Sequence, residues 1–527
     1  MSLLRAAATV SSLTLLSRIT GLARDIIIAR AFGAGSLTDA FWVAFRIPNL
    51  LRRLFAEGAF AQAFVPILGE VRNQHESDAV KILLDRVALT LFFVLCLVAV
   101  AGIIGAPWVV MTMASGLTEP ARAEDFLAAV WMTRVMFPYI ICMSLIAFAS
   151  GVLNTWRHFA VPAFTPVLLN LCMIAASLLL TPYVSQPIYA LAIGVMCGGV
   201  AQLTVQWIAL SKLGLRPRFS WRIGPAIKDP IVRRIMRQML PATLGVSVAQ
   251  ISLLINTNIA TWLAAGSVTW LSFADRLMEF PTALLGVALG TVLLPSLAKA
   301  NKDQSGEQYS AMLDWGLRLV LLLGLPAALS MVLMSDGMVA TLFHYGAFTA
   351  SDVMQTRSAV MAYSVGLVGL LMVKILAPGF YAKQDIRTPV KIAIVVLIAT
   401  QLLNIVLVPW LAHAGLALAI GLGGCLNALA LLVGLRRQGI YTPTPGWLKF
   451  LTKQLVALII MAIPLALSAH YVNWIALQAQ PALRVLWLGL VLAGSMAAYL
   501  GILMLLGLRA KDFRRAPHAN TVGKTGA

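Results

Sequence analysis

The chain has 527 residues, of which 60% are hydrophobic and 11% charged, and its formal net charge is +20. A soluble globular protein does not need so apolar a composition, which indicates a polytopic helical membrane protein. The basic excess does not indicate nucleic-acid binding, because most lysines and arginines fall in short loops between apolar stretches. The five cysteines lie within apolar stretches and lack CxxC spacing, so neither a metal site nor a disulfide framework is predicted.

About fourteen stretches have the ~20 apolar residues that a helix needs to cross a bilayer. We therefore predict an all-α polytopic membrane protein with spans near residues 8–32, 37–69, 79–105, 124–150, 160–182, 187–211, 231–264, 268–298, 309–334, 356–381, 388–411, 415–436, 448–470 and 482–508. The second span is too long for a straight crossing at ~1.5 Å per residue. Pro48, Gly58 and Pro66 predict that it bends or breaks.

Basic residues concentrate at alternate ends of the predicted spans. The most basic loop, residues 212–237, follows the sixth span, whereas the loops at 33–39 and 181–187 lack lysine and arginine. Because cytoplasmic loops of membrane proteins are enriched in these residues, both termini are predicted to be cytoplasmic.

A weak internal repeat divides the chain. The segment Gly35–Thr38 recurs as Gly266–Thr269, and other short matches share the same offset of about 230 residues, as in a parallel repeat. The predicted organisation is an N-terminal lobe at 1–222, a C-terminal lobe at 223–440, two further spans at 441–510 and a cytoplasmic tail at 511–527. Repeats of this kind place a substrate site near the membrane midplane, between the two lobes.

Charged residues interrupt the first, second and eighth spans. An arginine at the bilayer centre costs roughly 2.5–3.5 kcal/mol, so these side chains must line a protein interior or a water-filled cavity. We predict a cationic cavity whose candidate residues are Arg18, Arg24, Arg52 and Arg276, with Arg53 and Lys374 as further candidates. Asp275, Arg276 and Glu279 share one broad helical face, and an intramembrane salt bridge is the alternative interpretation for them.

Such a cavity suits an anionic substrate that carries phosphate. Guanidinium is planar and permanently charged, and its paired donors match phosphate oxygens. The chain has no HExxH, Walker A or GxSxG motif. Transport rather than catalysis is therefore predicted, with no cofactor. We predict that Asp275 and Glu279 pair with the arginines when the cavity is empty. Their release by the ligand is then predicted to serve the switch between inward-facing and outward-facing states.

Four long motifs resemble the MurJ (MviN) lipid II flippases of the multidrug/oligosaccharidyl-lipid/polysaccharide exporter superfamily. They read SRITGLARD, TDAFWVAFRIPNLLRRLFAEGAFAQAFVPIL, ADRLMEFPTALLGVALGTVLLPSL and LAPGFYAKQDIRTPVKIA. The resemblance implies two six-helix lobes in a V around a central cavity, and a groove for the polyprenyl tail formed by the last two spans. It implies that the protein is located in the bacterial cytoplasmic (inner) membrane. It also implies that the protein moves undecaprenyl-diphosphate-linked disaccharide pentapeptide, lipid II, from the cytoplasmic to the outer leaflet. The family's cavity arginines match Arg18, Arg24, Arg52 and Arg276, and its cavity acids match Asp39 and Glu279.

Two alternatives remain at this point. A flippase for another polyprenyl-diphosphate sugar would have the same arginines, and a membrane enzyme acting on a polyprenyl diphosphate would also need them. Besides lipid II and membrane lipids, peptidoglycan-synthesis proteins are candidate partners, and nucleic acid is not expected. We predict that the membrane potential supplies most of the driving force, because Asn256, Asn258 and Asn404 are only neutral candidates for a cation site.

Overall fold

The computed structural model describes residues 3–51, 60–74, 77–218, 223–302 and 305–508. Every regular element in these ranges is helical. Among the residues so described, nine helical segments are long and apolar enough to cross a membrane. The predicted all-α, polytopic class is thereby confirmed, while the total of about fourteen spans stays a prediction.

The chain divides into two compact units, residues 1–269 and 270–527. The first unit contains the helices α1 (Leu3–Phe32), α2 (Ser36–Leu51), α3 (Ala61–Gln74), α4 (Ser77–Ile104), α5 (Ala106–Met113), α6 (Ala123–Met136), α7 (Tyr139–Thr155), α8 (Ala160–Leu179), α9 (Tyr189–Lys212), α10 (Ile223–Lys228) and α11 (Pro230–Thr261). Helix α12 (Ser267–Lys302) begins at the end of this unit and continues into the second. The predicted lobe boundaries after residues 222 and 440 stay predictions.

The helices of the second unit that follow α12 are α13 (Gly306–Leu333), α14 (Ser335–Phe343), α15 (Ala350–Tyr381), α16 (Arg387–Arg437), α17 (Trp447–Tyr471) and α18 (Pro481–Leu505). Helix α16 covers two predicted spans, 388–411 and 415–436. Ala412, with φ 48° and ψ −129°, interrupts it between them. The two predicted spans are therefore continuous in one helix and separated only by a backbone kink.

Small residues allow close helix packing in the first unit. Gly194 and Gly198 of α9 face α8 one turn apart. A Cβ added at Gly194 would lie 2.7 Å from the Cβ of Ala176, and one added at Gly198 would lie 2.7 Å from Cδ1 of Leu169. This GxxxG spacing lets two membrane helices approach closely without a side chain between them. It fixes α8, which in turn packs against α1.

The fourth predicted span, 124–150, differs from expectation because it consists of two helices. Helix α6 ends at Met136 and α7 begins at Tyr139, with Phe137 and Pro138 in a turn between them. Proline has no N–H to donate and its ring clashes with the preceding turn, so the helix is interrupted there. Hydropathy alone does not detect this break, since the residues on both sides are apolar.

Candidate functional site

Arg24 of α1 is buried and its charge is satisfied within the first unit. Its Nε and Nη2 donate to Oδ1 of Asp25 at 2.9 and 2.6 Å, and its Nη1 donates to Oδ1 of Asn170 at 3.1 Å. Arg24 and Asp25 are only 5% and 1% exposed. A buried charge needs such a partner, because the cost of desolvation is otherwise large. The guanidinium is thus held in place before any ligand arrives.

Asn170 of α8 is a site residue that the sequence analysis missed. Its Nδ2 donates to the carbonyl of Ser17 at 3.0 Å and to the hydroxyl of Thr20 at 3.1 Å. The side-chain amide of Asn170 therefore orients Arg24 and also contacts the preceding turns of α1. The signal in the sequence was a single asparagine within an otherwise apolar span, where a polar side chain must find partners.

Arg18 lies on the same helix, about 9 Å before Arg24 along its axis at ~1.5 Å per residue. It is half-buried and forms no hydrogen bond or ion pair with any residue that the structure describes. In contrast to Arg24, it has a guanidinium available to a ligand. Arg52 and Arg53, the other predicted arginines of this region, lie outside the described residues.

Asp39, in the first turn of α2, caps the start of α12. Its Oδ2 accepts the N–H of Gly266 at 2.7 Å, and its Oδ1 accepts both the N–H and the hydroxyl of Thr269 at 2.8 and 2.7 Å. A carboxylate at a helix N-terminus satisfies free N–H groups and interacts favourably with the helix dipole. Asp39 follows the first copy of the repeated segment and caps the helix opened by the second copy. Its predicted role as a cavity or gating acid stays a prediction.

Helix α12 carries three of the candidate charges of the second unit, Asp275, Arg276 and Glu279. Arg276 Nη1 donates to Oε2 of Glu279 at 2.9 Å, and the two side chains keep 37% and 41% of their surface exposed. Asp275 is exposed on the preceding position. Partly exposed ion pairs contribute little to stability, so a ligand can replace one partner at a small cost. The ion pair that the sequence allowed is present, and it lies within a single helix turn.

Lys374 of α15 contacts the same helix. Its Nζ donates to the backbone carbonyl of Thr282 at 2.9 Å, one turn beyond Glu279. The hydroxyl of Thr282 in turn donates to the carbonyls of Met278 and Glu279 at 3.1 and 2.9 Å. Lys374 is otherwise exposed. Its amine therefore lies close to the Arg276–Glu279 turn, and its predicted role in the cavity stays a prediction.

The asparagines considered as neutral cation ligands differ in their surroundings. Oδ1 of Asn258 accepts the hydroxyl of Ser115 at 2.9 Å, and its Nδ2 donates to the carbonyl of Thr112 at 3.1 Å. Asn258 thus links α11 to the last turn of α5 and to the segment that follows it. Asn256 and Asn404 are both buried. Across the described part of the chain, no three His, Cys, Asp or Glu side chains are grouped so that they could hold a metal ion.

Comparison with known proteins places this chain among lipid II flippases. Residues 28–483 match the family described as Lipid II flippase MurJ. The chain is 53% identical over 515 residues to the lipid II flippase MurJ of Burkholderia cenocepacia, covering 98% of this chain and 99% of that relative. It is 38% identical over 525 residues to a probable lipid II flippase MurJ of Vibrio cholerae, covering 98% of each.

Solved structures share the fold. A lipid II flippase MurJ in an inward closed conformation superposes with a TM-score of 0.78 at 23% identity, covering 94% of this chain and 99% of that one. An inward-facing multidrug transporter of the MATE family, from the MOP superfamily, has a TM-score of 0.67 at 15% identity, covering 82% and 98%. From the family match and the two relatives, we conclude that the chain belongs to the MurJ family of lipid II flippases, which are transporters and not enzymes.

Proposed function

We propose that this chain carries lipid II from the cytoplasmic to the outer leaflet of the bacterial cytoplasmic membrane by alternating access. The observation that carries the proposal is the 53% identity, over 98% of the chain, to a relative named as a lipid II flippase. The arginines within the helices support it, because guanidinium groups at membrane depth suit the diphosphate of such a lipid.

Two of the candidate arginines already hold a carboxylate. Arg24 is paired with Asp25 in the first unit, and Arg276 is paired with Glu279 in the second. A diphosphate that binds either arginine competes with that carboxylate. The ligand thereby favours a conformation in which the carboxylate is released, and such a differential contact is what a population shift requires. The partly exposed Arg276–Glu279 pair is the easier of the two to exchange.

The proposal includes the finer architecture and topology. The chain has fourteen spans arranged as two lobes of six helices followed by a C-terminal pair, α17 and α18, which accommodates the polyprenyl tail. Both termini lie in the cytoplasm. The basic loop ends and the family membership support this arrangement. Peptidoglycan-synthesis proteins that use the exported lipid are the proposed partners.

Complementation tests the proposed function directly. The chain is expressed in a bacterium whose own lipid II flippase can be depleted, and lipid II on the outer face is measured by its cleavage with an externally added lipid II hydrolase. We expect both growth and outer-face lipid II to be restored. Normal membrane levels of the protein without either would overturn the proposal.

A matched strain separates the alternative cargo. The same chain is expressed in a bacterium that lacks the flippase for another polyprenyl-diphosphate oligosaccharide. We expect no rescue there, since the cargo is defined by its disaccharide pentapeptide. Rescue in this second strain but not in the first would favour the alternative flippase function.

A further inference from the structure

An apolar groove of the first unit lies among α4, α7 and α9. Its volume is about 420 Å³, within the ~300–1,000 Å³ range of small-molecule sites. Phe92 of α4, Leu145 of α7 and Leu203, Trp207 and Ile208 of α9 form its walls. Phe92 and Ile208 keep 37% and 50% of their surface exposed. Because these helices span the membrane, the groove opens toward lipid.

The groove is polar at one end. Ser211, in the last turn of α9, and Arg216, just beyond that helix, both line it. From Leu203 to Ser211 the helix rises about 12 Å, close to the ~15 Å half-thickness of the hydrocarbon core. The groove therefore covers most of the hydrocarbon depth of one leaflet, and its basic end lies where a lipid headgroup would lie.

The segment that carries Arg216 is held in place by the fold. Gly214 has a φ of +68°, which favours glycine. Its N–H donates to the carbonyl of Ser211 at 3.1 Å, and the N–H of Leu215 donates to the carbonyl of Leu210 at 3.0 Å. This is the Schellman arrangement that ends many helices. Leu210 and Leu215 both belong to the hydrophobic core of the unit, so the turn before Arg216 is anchored.

The chain two residues beyond Arg216 is fixed as well. The backbone N–H of Arg218 donates to Oδ1 of Asp85 on α4 at 2.7 Å. Arg216 thus lies between Leu215, which is anchored in the core, and Arg218, which is hydrogen-bonded two residues further on. The guanidinium of Arg216 is exposed, and the backbone that carries it is already ordered. Little backbone freedom is therefore lost when an anion binds, which favours binding.

We propose that this groove binds an anionic phospholipid of the leaflet on the basic side of the protein. One acyl chain lies against Phe92, Leu203 and Trp207, and the phosphate contacts Arg216. Lys212 and Arg218 are exposed beside it, and positive segments at a membrane surface attract anionic lipids. In the proposed topology this is the cytoplasmic leaflet. The site is separate from the arginines assigned to the cargo, so the proposal does not depend on what is transported.

Native mass spectrometry of the purified full chain tests this inference. Dioleoylphosphatidylglycerol is titrated against the wild type and the Arg216→Ala variant, with dioleoylphosphatidylcholine as the lipid control. We expect the variant to bind the anionic lipid about fivefold more weakly, because it loses the direct contact between one basic side chain and the phosphate, worth about 1 kcal/mol. Lys212→Ala removes an equal charge from the last residue of α9, which does not line the groove, so its binding should change less than twofold.

Two further variants separate the groove from its charge. Leu203→Trp fills the groove and should weaken binding, whereas Val200→Trp, on the exposed face of α9 outside the groove, should not. Gly214→Ala strains the turn and should weaken binding without removing charge. Equal binding by Arg216→Ala and Lys212→Ala, or equal affinity for phosphatidylcholine, would overturn the proposal. So would equally tight binding of glycerophosphoglycerol, which has the headgroup without acyl chains.

Discussion

Arg18 and Arg24 lie on one helix but differ in how their charges are satisfied. Arg24 is buried and paired with Asp25, whereas Arg18 is half-buried and has no partner among the residues described. Removing one partner of a buried ion pair typically costs about 3–5 kcal/mol, because the other charge stays buried and uncompensated. Alanine at Arg24 therefore changes stability as well as ligand contacts.

We expect the Arg24→Ala variant to lose growth support and to unfold at a clearly lower temperature in detergent. The Arg18→Ala variant should lose growth support while its unfolding temperature stays close to that of the wild type. Adding Asp25→Asn to Arg24→Ala should restore much of the stability but not the growth. Arg30→Ala, an exposed arginine on the same helix, is the control for both measurements. Normal growth of Arg18→Ala would contradict its assignment to the cargo.

Asp229, the N-cap of α11, gives the first unit a dependence on acid. Burial alone would raise the pKa of its carboxyl. The Arg86 guanidinium and the N–H groups of Ile231 and Val232 outweigh burial and hold that pKa below its ordinary range. A depressed pKa in the folded state stabilises the fold above the unfolded-state value of about 3.9. This contribution is lost as the pH falls below about 4.

Thermal unfolding between pH 3 and pH 7 measures this contribution. We expect the wild type to lose stability at the acid end, and Asp229→Asn to show a smaller loss from a lower starting value. Asparagine caps a helix about as well as aspartate, so this variant mainly removes the charge contact with Arg86. Asp78→Asn, at a side chain that is 82% exposed, should keep the wild-type profile. An unchanged pH profile in Asp229→Asn would show that the contact is not coupled to folding.

At the scale of elements, Asp314 of α13 fixes the start of α17. Its Oδ1 accepts the Tyr441 hydroxyl at 2.8 Å, the Thr444 N–H at 3.2 Å and the Trp447 Nε1 at 2.7 Å. Its Oδ2 accepts the Thr444 hydroxyl at 2.5 Å and the Arg318 Nε at 2.8 Å. One carboxylate thereby satisfies five donors and joins α13 to the segment between α16 and α17.

Asp314→Asn should weaken this connection by about 2–3 kcal/mol, the scale of losing one or two charge-assisted hydrogen bonds. We expect faster protease cleavage within residues 438–446 and a lower unfolding temperature. Glu307→Gln, at an exposed acid in the first turn of the same helix, is the matched control. Cleavage of Asp314→Asn at the wild-type rate would exclude an anchoring role.

The helices that could be predicted from the sequence are those defined by a long apolar run. The break at Pro138 divides one such run without changing its hydropathy. The kink at Ala412 lies between two predicted spans, but the hydropathy does not show that one helix continues through it. The short helices α5, α10 and α14 are too short to be recognised as spans. Asp314 is informative only once Tyr441 and Trp447 are known to lie beside it, because its partners are distant in sequence. Local patterns therefore predicted the elements but not the contacts that anchor them.

At the scale of the whole molecule, the sequence motifs were sufficient for the family, and the comparisons confirmed it. The charges within the predicted spans predict where an anionic cargo binds, and that site stays a prediction. The pairing of Arg276 with Glu279 follows from their spacing of three residues on one helix. The contact between Arg24 and Asn170 could not be predicted, because Asn170 belongs to another helix. Tertiary packing decides such a contact, and it leaves no periodic signal in the sequence.

The charge of the cargo indicates which energy source can drive transport. A diphosphate carries about two negative charges, and each charge that crosses 100 mV is worth roughly 2.3 kcal/mol. Outward movement from an inside-negative cell therefore gains about 4.6 kcal/mol per cycle on that estimate. The arginines return to their starting positions, so over a full cycle they contribute no net electrical work.

We therefore expect export of lipid II to stop when the membrane potential is collapsed in spheroplasts at constant sodium. Removal of sodium at constant potential should leave export largely unchanged, because the cargo's own charge couples it to the field. Asn256→Ala and Asn404→Ala, which alter the neutral candidates for a cation site, should keep the same dependence on potential if they fold. Lipid II on the outer leaflet, followed with an externally added hydrolase, is the measurement. If sodium removal stops export and collapse of the potential does not, a co-transported cation supplies the energy and this mechanism is wrong.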